Sequence, residues 1–157
     1  MKNNQLIPGE PLREGVDLIA DKKTGALIVV GTSAKLDKIS SGGINLSNCK
    51  FTPEMLCELA KMDGAIIVDQ NVDTILKANV HLNPSDLIET SQTGTRHRTA
   101  QRVSVETELD VIAVSDESGI IKVFSNNDVN ELEESSMILG RVNAVSYTHL
   151  RAHETSE

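Results

Sequence analysis

The sequence predicts an α/β fold, a mixed central β-sheet flanked by helices on both faces, on three observations. Short apolar runs recur at residues 26–30, 65–68, 111–114 and, around Lys122, 120–124, the pattern of strands buried on both sides. Segments with helix-start signals stand between the earlier runs, so strands alternate with helices. The last two runs are separated by residues 115–119 alone, a hairpin-like length that lets them pair antiparallel.

The elements follow in order. The opening stretch carries Pro8, Gly9, Pro11 and Gly15 and accommodates a short helix from about Leu12 to Ala20. Residues 26–30, between Gly25 and Gly31, form the first buried strand, and Ser40-Ser41-Gly42-Gly43 reads as a loop. Thr52-Pro53-Glu54 starts a helix, with Thr as N-cap, Pro at the first helical position and an acid in the first turn. Met55, Leu56, Leu59, Ala60 and Met62 continue it at helical spacing, and Asp63-Gly64 stops it. After the strand at 65–68, residues 77–82 form a further short strand and Asn83-Pro84-Ser85-Asp86 a turn. A helix runs from Thr95 to about Glu108, followed by the two paired strands.

Composition narrows the function. With 157 residues the chain holds one domain and a substantial core. Hydrophobic residues make up 39% but aromatics only 2%, so Ile, Val, Leu, Ala and Met fill that core. The net charge of −8 repels a phosphate backbone at long range, which argues against general nucleic-acid binding yet leaves room for a local cationic anion site. Cys49 and Cys57 form no metal-ligand spacing. They could pair, but two reduced small hydrophobes in a cytoplasmic protein is the simpler reading. No apolar stretch reaches the roughly 20 residues that cross a bilayer, and no signal-peptide core opens the chain. Residues 145–157 include two of the four His and the only Tyr without a hydrophobic period. They read as a non-native or disordered tail, which ends the domain at residue 144.

Three stretches carry chemistry. In Gly94-Thr95-Arg96-His97-Arg98-Thr99-Ala100, basic side chains crowd a helix N-terminus that the helix dipole already makes positive. A bound phosphate would reverse that conflict, because free N–H groups, two guanidinium forks and the Thr hydroxyls would all face it. A solvated basic turn is the competing reading. In Asp63-Gly64-Ala65, the carboxylate suits a divalent cation and Gly64 admits a close approach of a ligand, against a helix C-cap beside a surface acid. Ser115-Asp116-Glu117 follows an apolar strand, at a strand end of the kind where ligands bind in open α/β sheets, and a plain polar turn is the competing reading. There is no GxxxxGK[ST] loop, no GxGxxG and no Ser or Cys nucleophile motif.

Asp63-Gly64-Ala65 followed by Arg96-His97-Arg98-Thr99-Ala100 resembles the paired motifs of the diadenylate cyclase domain family. The likeness extends through Pro11-Leu12-Arg13, Gly25 to Gly31, Glu58 to Met62 and Lys77-Ala78-Asn79, from about Pro8 to Ala144. It is nearest to the branch in which this domain precedes a helical spine and a DNA-binding helix-hairpin-helix domain. The resemblance implies condensation of two ATP molecules into cyclic di-AMP and pyrophosphate, with Mg2+ or Mn2+, at the interface of a face-to-face dimer. It implies Asp63, Arg96, His97 and Arg98 as catalytic residues. It places Gly64, Ala65, Leu82, Gly94, Thr95, Arg96, His97, Arg98, Thr99 and Ser115 at the nucleotide, and Asp63 with Asp116 at the metal. Asp116 stands where relatives often carry Glu. No DNA or membrane binding is expected of this chain. A nucleotide sensor that has lost activity is disfavoured by the complete set Asp63, Gly64, Arg96, His97 and Arg98.

Overall fold

In the computed structural model, which describes residues 3–126 and 128–135, eight strands form one sheet. The strands are β1 (Ala26–Val30), β2 (Ser40–Ser41), β3 (Ile44–Asn45), β4 (Ala65–Val68), β5 (Ile75–Leu82), β6 (Asp110–Val114), β7 (Ile121–Ser125) and β8 (Asp128–Leu132). The helices are α1 (Pro11–Lys22), α2 (Ala34–Ile39), α3 (Pro53–Leu59) and α4 (Thr95–Thr107), preceded by a 3-10 turn at Asn3–Leu6. The order across the sheet is β2-β5-β4-β1-β6-β7-β8, with β3 also on β5. β1 and β4 run parallel, and every other pairing is antiparallel. The expected mixed sheet and the β6–β7 hairpin are therefore both present.

Alternation along each strand splits the core into two layers. Ile28, Val30, Ile66, Val68, Ile112, Val114, Ile121 and Val123 face α1 and α3, where Leu12, Val16, Ile19 and Leu56 complete the layer. Val29, Ile67, Val111, Ala113 and Phe124 face the opposite way, onto Ala100 and Val103 of α4 and Leu36 of α2. Helices thus cover both faces.

Three local readings are corrected. The helix begun by Thr52, whose hydroxyl accepts from Met55 N–H at 3.0 Å, ends at Leu59, and turns rather than helix lead to Gly64. Ser40 and Ser41 are not loop but pair with Leu82 and His81, and only Gly42 and Gly43 turn the chain, both at positive φ. The strand expected at 77–82 begins at Ile75. Cys57 is buried, Cys49 half-buried, and neither is bonded. Among the described residues no helix is long and apolar enough to cross a membrane. The expected tail at 145–157, and the approach to it from residue 136, lie outside the described residues.

Candidate active site

A cavity of about 910 Å³ opens along one end of the sheet, within the range of small-ligand sites. Its wall is made by the starts of β1, β4 and β7, the ends of β5 and β6, and the N-terminus of α4. The parallel pair β1 and β4 meets it at their N-terminal ends, not the carboxyl ends that ligands use in fully parallel sheets. The antiparallel β6 and β5 bring their carboxyl ends to the same side. Five adjacent strands at about 4.8 Å spacing make a trough roughly 19 Å long.

The structure brings Asp63, Gly64, Ala65, Leu82, Gly94, Thr95, Arg96, His97, Thr99, Ser115 and Asp116 to this one cavity. Arg98 is the exception. It does not line the wall; its Nη1 donates to the Gln92 carbonyl at 3.2 Å. The reason is helical geometry: successive residues of α4 point about 100° apart, so Arg96 and Arg98 cannot share a direction. Arg98 instead holds the segment leading into α4, together with Arg102 Nε, which donates to the Ile88 carbonyl at 2.9 Å, and Glu106, which accepts from Ser85 N–H at 2.8 Å.

Each motif has a local cause. Gly94 caps α4 at φ +85 with no side-chain cap, so the first-turn N–H groups of α4 have no side-chain acceptor there. Arg96 lies across the start of β1: a β-carbon on Gly25 would stand 2.8 Å from its Nη1 and 2.9 Å from Asp116 Cβ. Only a glycine, here at φ +78, leaves that space. Arg96 Nη1 and Asp116 Oδ1 are 3.6 Å apart, a loose pair with the carboxylate largely exposed. His97 is buried and meets Phe124 edge-on at 6.3 Å. Burial first, then the positive charges of Lys122 and Arg96, hold its pKa below the ordinary imidazole value, with Glu131 opposing. His97 is therefore neutral at pH 7. Ser115 Oγ accepts from the N–H groups of Glu117 and Ser118, each at 3.3 Å. It shapes the β6–β7 turn while keeping its own hydroxyl proton for a ligand. Asp63 is exposed on the rim.

Gly64 lines the cavity and corrects one of the two readings offered for it. It is not a helix C-cap, and it also closely approaches the chain's own backbone. A β-carbon there would lie 2.4 Å from the Asn79 carbonyl carbon. Asn79, at φ +56, sits where the β4–β5 register shifts, a β-bulge.

Further wall residues were not singled out from the sequence: Gly25, Met62, Asn79, His81, Ile120 and Lys122. Lys122 left a readable signal, a lone cation inside the aliphatic run 120–124. Among the described residues no three His, Cys, Asp or Glu side chains cluster as a ready-made metal site.

The fold is an α/β domain with a mixed sheet and a trough at the sheet's end. A family model described as DisA bacterial checkpoint controller nucleotide-binding (DAC) matches residues 13–129, and the chain belongs to that family, the diadenylate cyclase domain family that its motifs resemble. It is 47% identical over 143 residues to the DNA integrity scanning protein DisA of Kineococcus radiotolerans, covering 91% of this chain and 40% of that protein. It is 43% identical over 145 residues to DisA of Clostridium tetani, covering 92% and 40%. A double mutant of DacA from Staphylococcus aureus superposes with TM-score 0.64 at 27% identity, covering 81% of this chain and 87% of that one. The chain thus spans about two-fifths of the length of the curated relatives it matches.

Proposed function

We propose that this domain, within residues 1–144, is a diadenylate cyclase that condenses two ATP into cyclic di-AMP and releases two pyrophosphates. The observation that carries the reading is the meeting of Asp63 with Arg96 and His97 across one cavity, from motifs about thirty residues apart. The trough accommodates one extended nucleoside triphosphate. Leu82, Ala65 and Gly64 would lie against the nucleoside, with Gly94, Thr95, Arg96, His97, Thr99 and Ser115 around the phosphates. Arg98 supports that cradle from behind by fixing the Gln92 carbonyl.

Mg2+ or Mn2+ fits the donor set. Such ions are held by one or two carboxylates plus substrate phosphates rather than by a protein cage, and Asp63 and Asp116 supply those carboxylates from two sides of the cavity. When bound, the ion supplies positive charge against the α-phosphate.

The chain's own residues do the rest. Two domains meet face to face about a two-fold axis, each holding one ATP. The 3′-oxygen of each ATP forms a bond to the α-phosphorus of the other, so two bonds form and two pyrophosphates leave. The bond to the oxygen bridging to the β-phosphate breaks, and pyrophosphate leaves with the electron pair. Asp63 accepts the hydroxyl proton. Arg96 and the α4 N–H groups offset the charge that builds on the phosphates. Neutral His97 donates or accepts one hydrogen bond without adding a buried cation beside Arg96. Positioning and electrostatics supply most of the acceleration. The net charge of −8 gives no support to a DNA-binding role for this chain.

The test is the dependence of cyclic di-AMP formation on protein and metal. Specific activity should rise with protein concentration until the dimer saturates, and vanish with a chelator. Excess Asp63→Asn chain should poison wild type. Turnover that ignores mutant chains under conditions where mixed dimers form would refute the face-to-face arrangement.

A further inference from the structure

Lys122 stands outside every motif considered so far. It lies on β7, at the strand farthest from β5 among those that floor the trough, and its side chain lines the cavity. It shares the α4 face of the sheet with Phe124, two residues on, against which His97 packs. It is half-buried, and among the described residues no carboxylate forms an ion pair with it. Glu131, opposite on β8, is in register with it but is not bonded. The acceptor it has is neutral: Nζ donates to Gln92 Oε1 at 2.9 Å.

A half-buried ammonium held by an amide is under-compensated. Here it also shares one end of the cavity with Arg96, whose pairing with Asp116 is loose at 3.6 Å. Two cations therefore collect at the β6–β7 end of a trough in a protein of net charge −8. Asp116 and Glu117 stand beside them, both reaching solvent, whereas the opposite end, at β4 and β5, offers Asp63, Asn79, His81, Leu82 and Met62 and no lysine or arginine. The charged N–H donors of the cavity, Arg96 and Lys122, thus stand at one end of its length. A ligand with a neutral head and a polyanionic tail fits one way round.

We infer that Lys122 is a further phosphate-binding residue of this cleft, taking the terminal phosphates of the nucleoside triphosphate and so the pyrophosphate that leaves. An ammonium has three donors, so Lys122 can keep Gln92 and bind an oxyanion at once. Gln92 then acts as a positioning residue: its carbonyl is held by Arg98 and its amide oxygen holds Lys122. That links Arg98, which does not reach the cavity, to the far end of the substrate. The inference rests on the nucleotide reading of the cleft.

Calorimetry with three probes, each with Mg2+, separates the two claims: inorganic pyrophosphate, ATP and AMP. Lys122→Gln, which removes the charge, should weaken pyrophosphate and ATP roughly ten- to hundred-fold, the loss of one charge-assisted contact. AMP, with no terminal phosphates, should change less than about twofold, and Lys122→Arg should recover most of the ATP affinity. Lys122→Met provides a second neutral variant if the amide misfolds, with thermal unfolding as the control. Wild-type affinity of a folded neutral variant for pyrophosphate, or an equal loss for AMP, overturns the role of Lys122 while leaving the cleft reading intact. A wild-type chain that binds neither ATP nor pyrophosphate overturns the cleft reading, and the inference with it.

Discussion

Gly64 and Asn79 touch backbone to backbone: a β-carbon on Gly64 would lie 2.4 Å from the Asn79 carbonyl carbon and 2.6 Å from its Cα. The glycine of the Asp-Gly-Ala motif thus holds β4 against the bulge in β5, and by that contact sets where Asp63 and Asn79 stand on the rim. Gly64 has no positive φ, so alanine meets no conformational barrier there and the obstacle is steric. Gly64→Ala should cost about 1–3 kcal/mol by forcing the two strands apart, a fall of several degrees in Tm. An unchanged Tm by calorimetry would show that the two strands are free to separate.

Arg96 and Arg98 should separate by phenotype. Arg96→Ala removes a cavity cation whose ion pair is loose and partly exposed, so ATP affinity should fall by roughly ten-fold or more with Tm nearly unchanged. Arg98→Ala should lower Tm by freeing the Gln92 carbonyl, with a smaller loss of affinity. Titration calorimetry and thermal unfolding on both variants check this. Equal effects of the two on ATP affinity would return Arg98 to direct contact.

His97 makes stability depend on pH. Its pKa is lowered in the folded state by burial, then by Lys122 and Arg96, against Glu131. The unfolded imidazole, near 6.5, therefore takes up its proton before the folded one. The contribution of neutral His97 is present above about pH 6.5 and is lost as pH falls from there through the lowered folded value. Urea unfolding at steps from pH 7.5 to 5 should show a steeper decline for wild type than for His97→Gln. Parallel declines would place the acid sensitivity elsewhere.

Much of this was legible from residue order because it rests on local rules. Aliphatic runs bounded by Gly or Asp marked β1, β4, β6 and β7, and Thr52-Pro53 marked the start of α3. Three features escaped, the first because it is too short to show a helical period and the other two because their cause is tertiary. α2 has only six residues and owes its start to Ser33 Oγ accepting from Leu36 N–H at 3.1 Å. β8, Asp-Val-Asn-Glu-Leu, lacks an apolar face and is a strand because β7 offers a free edge. Arg13, read only as part of a likeness, is 1% exposed. Its guanidinium is satisfied by Asp17 and by the Leu6 and Glu133 carbonyls. At the site, residue type named Asp63, Arg96, His97 and Ser115, while the outward turn of Arg98 and the inward turn of Lys122 depend on how α4 and β7 are rotated in the fold.

The most direct measurement is product identity. Mass spectrometry of a reaction containing this chain, ATP and Mn2+ should show cyclic di-AMP and pyrophosphate in a one-to-two ratio. Asp63→Asn should retain the wild-type Tm, since the side chain is exposed, and lose at least about a hundred-fold in rate, the scale of a positioned proton acceptor. ATP recovered intact, or converted only to ADP or to a product holding one adenosine, from a folded chain that binds it would contradict the account.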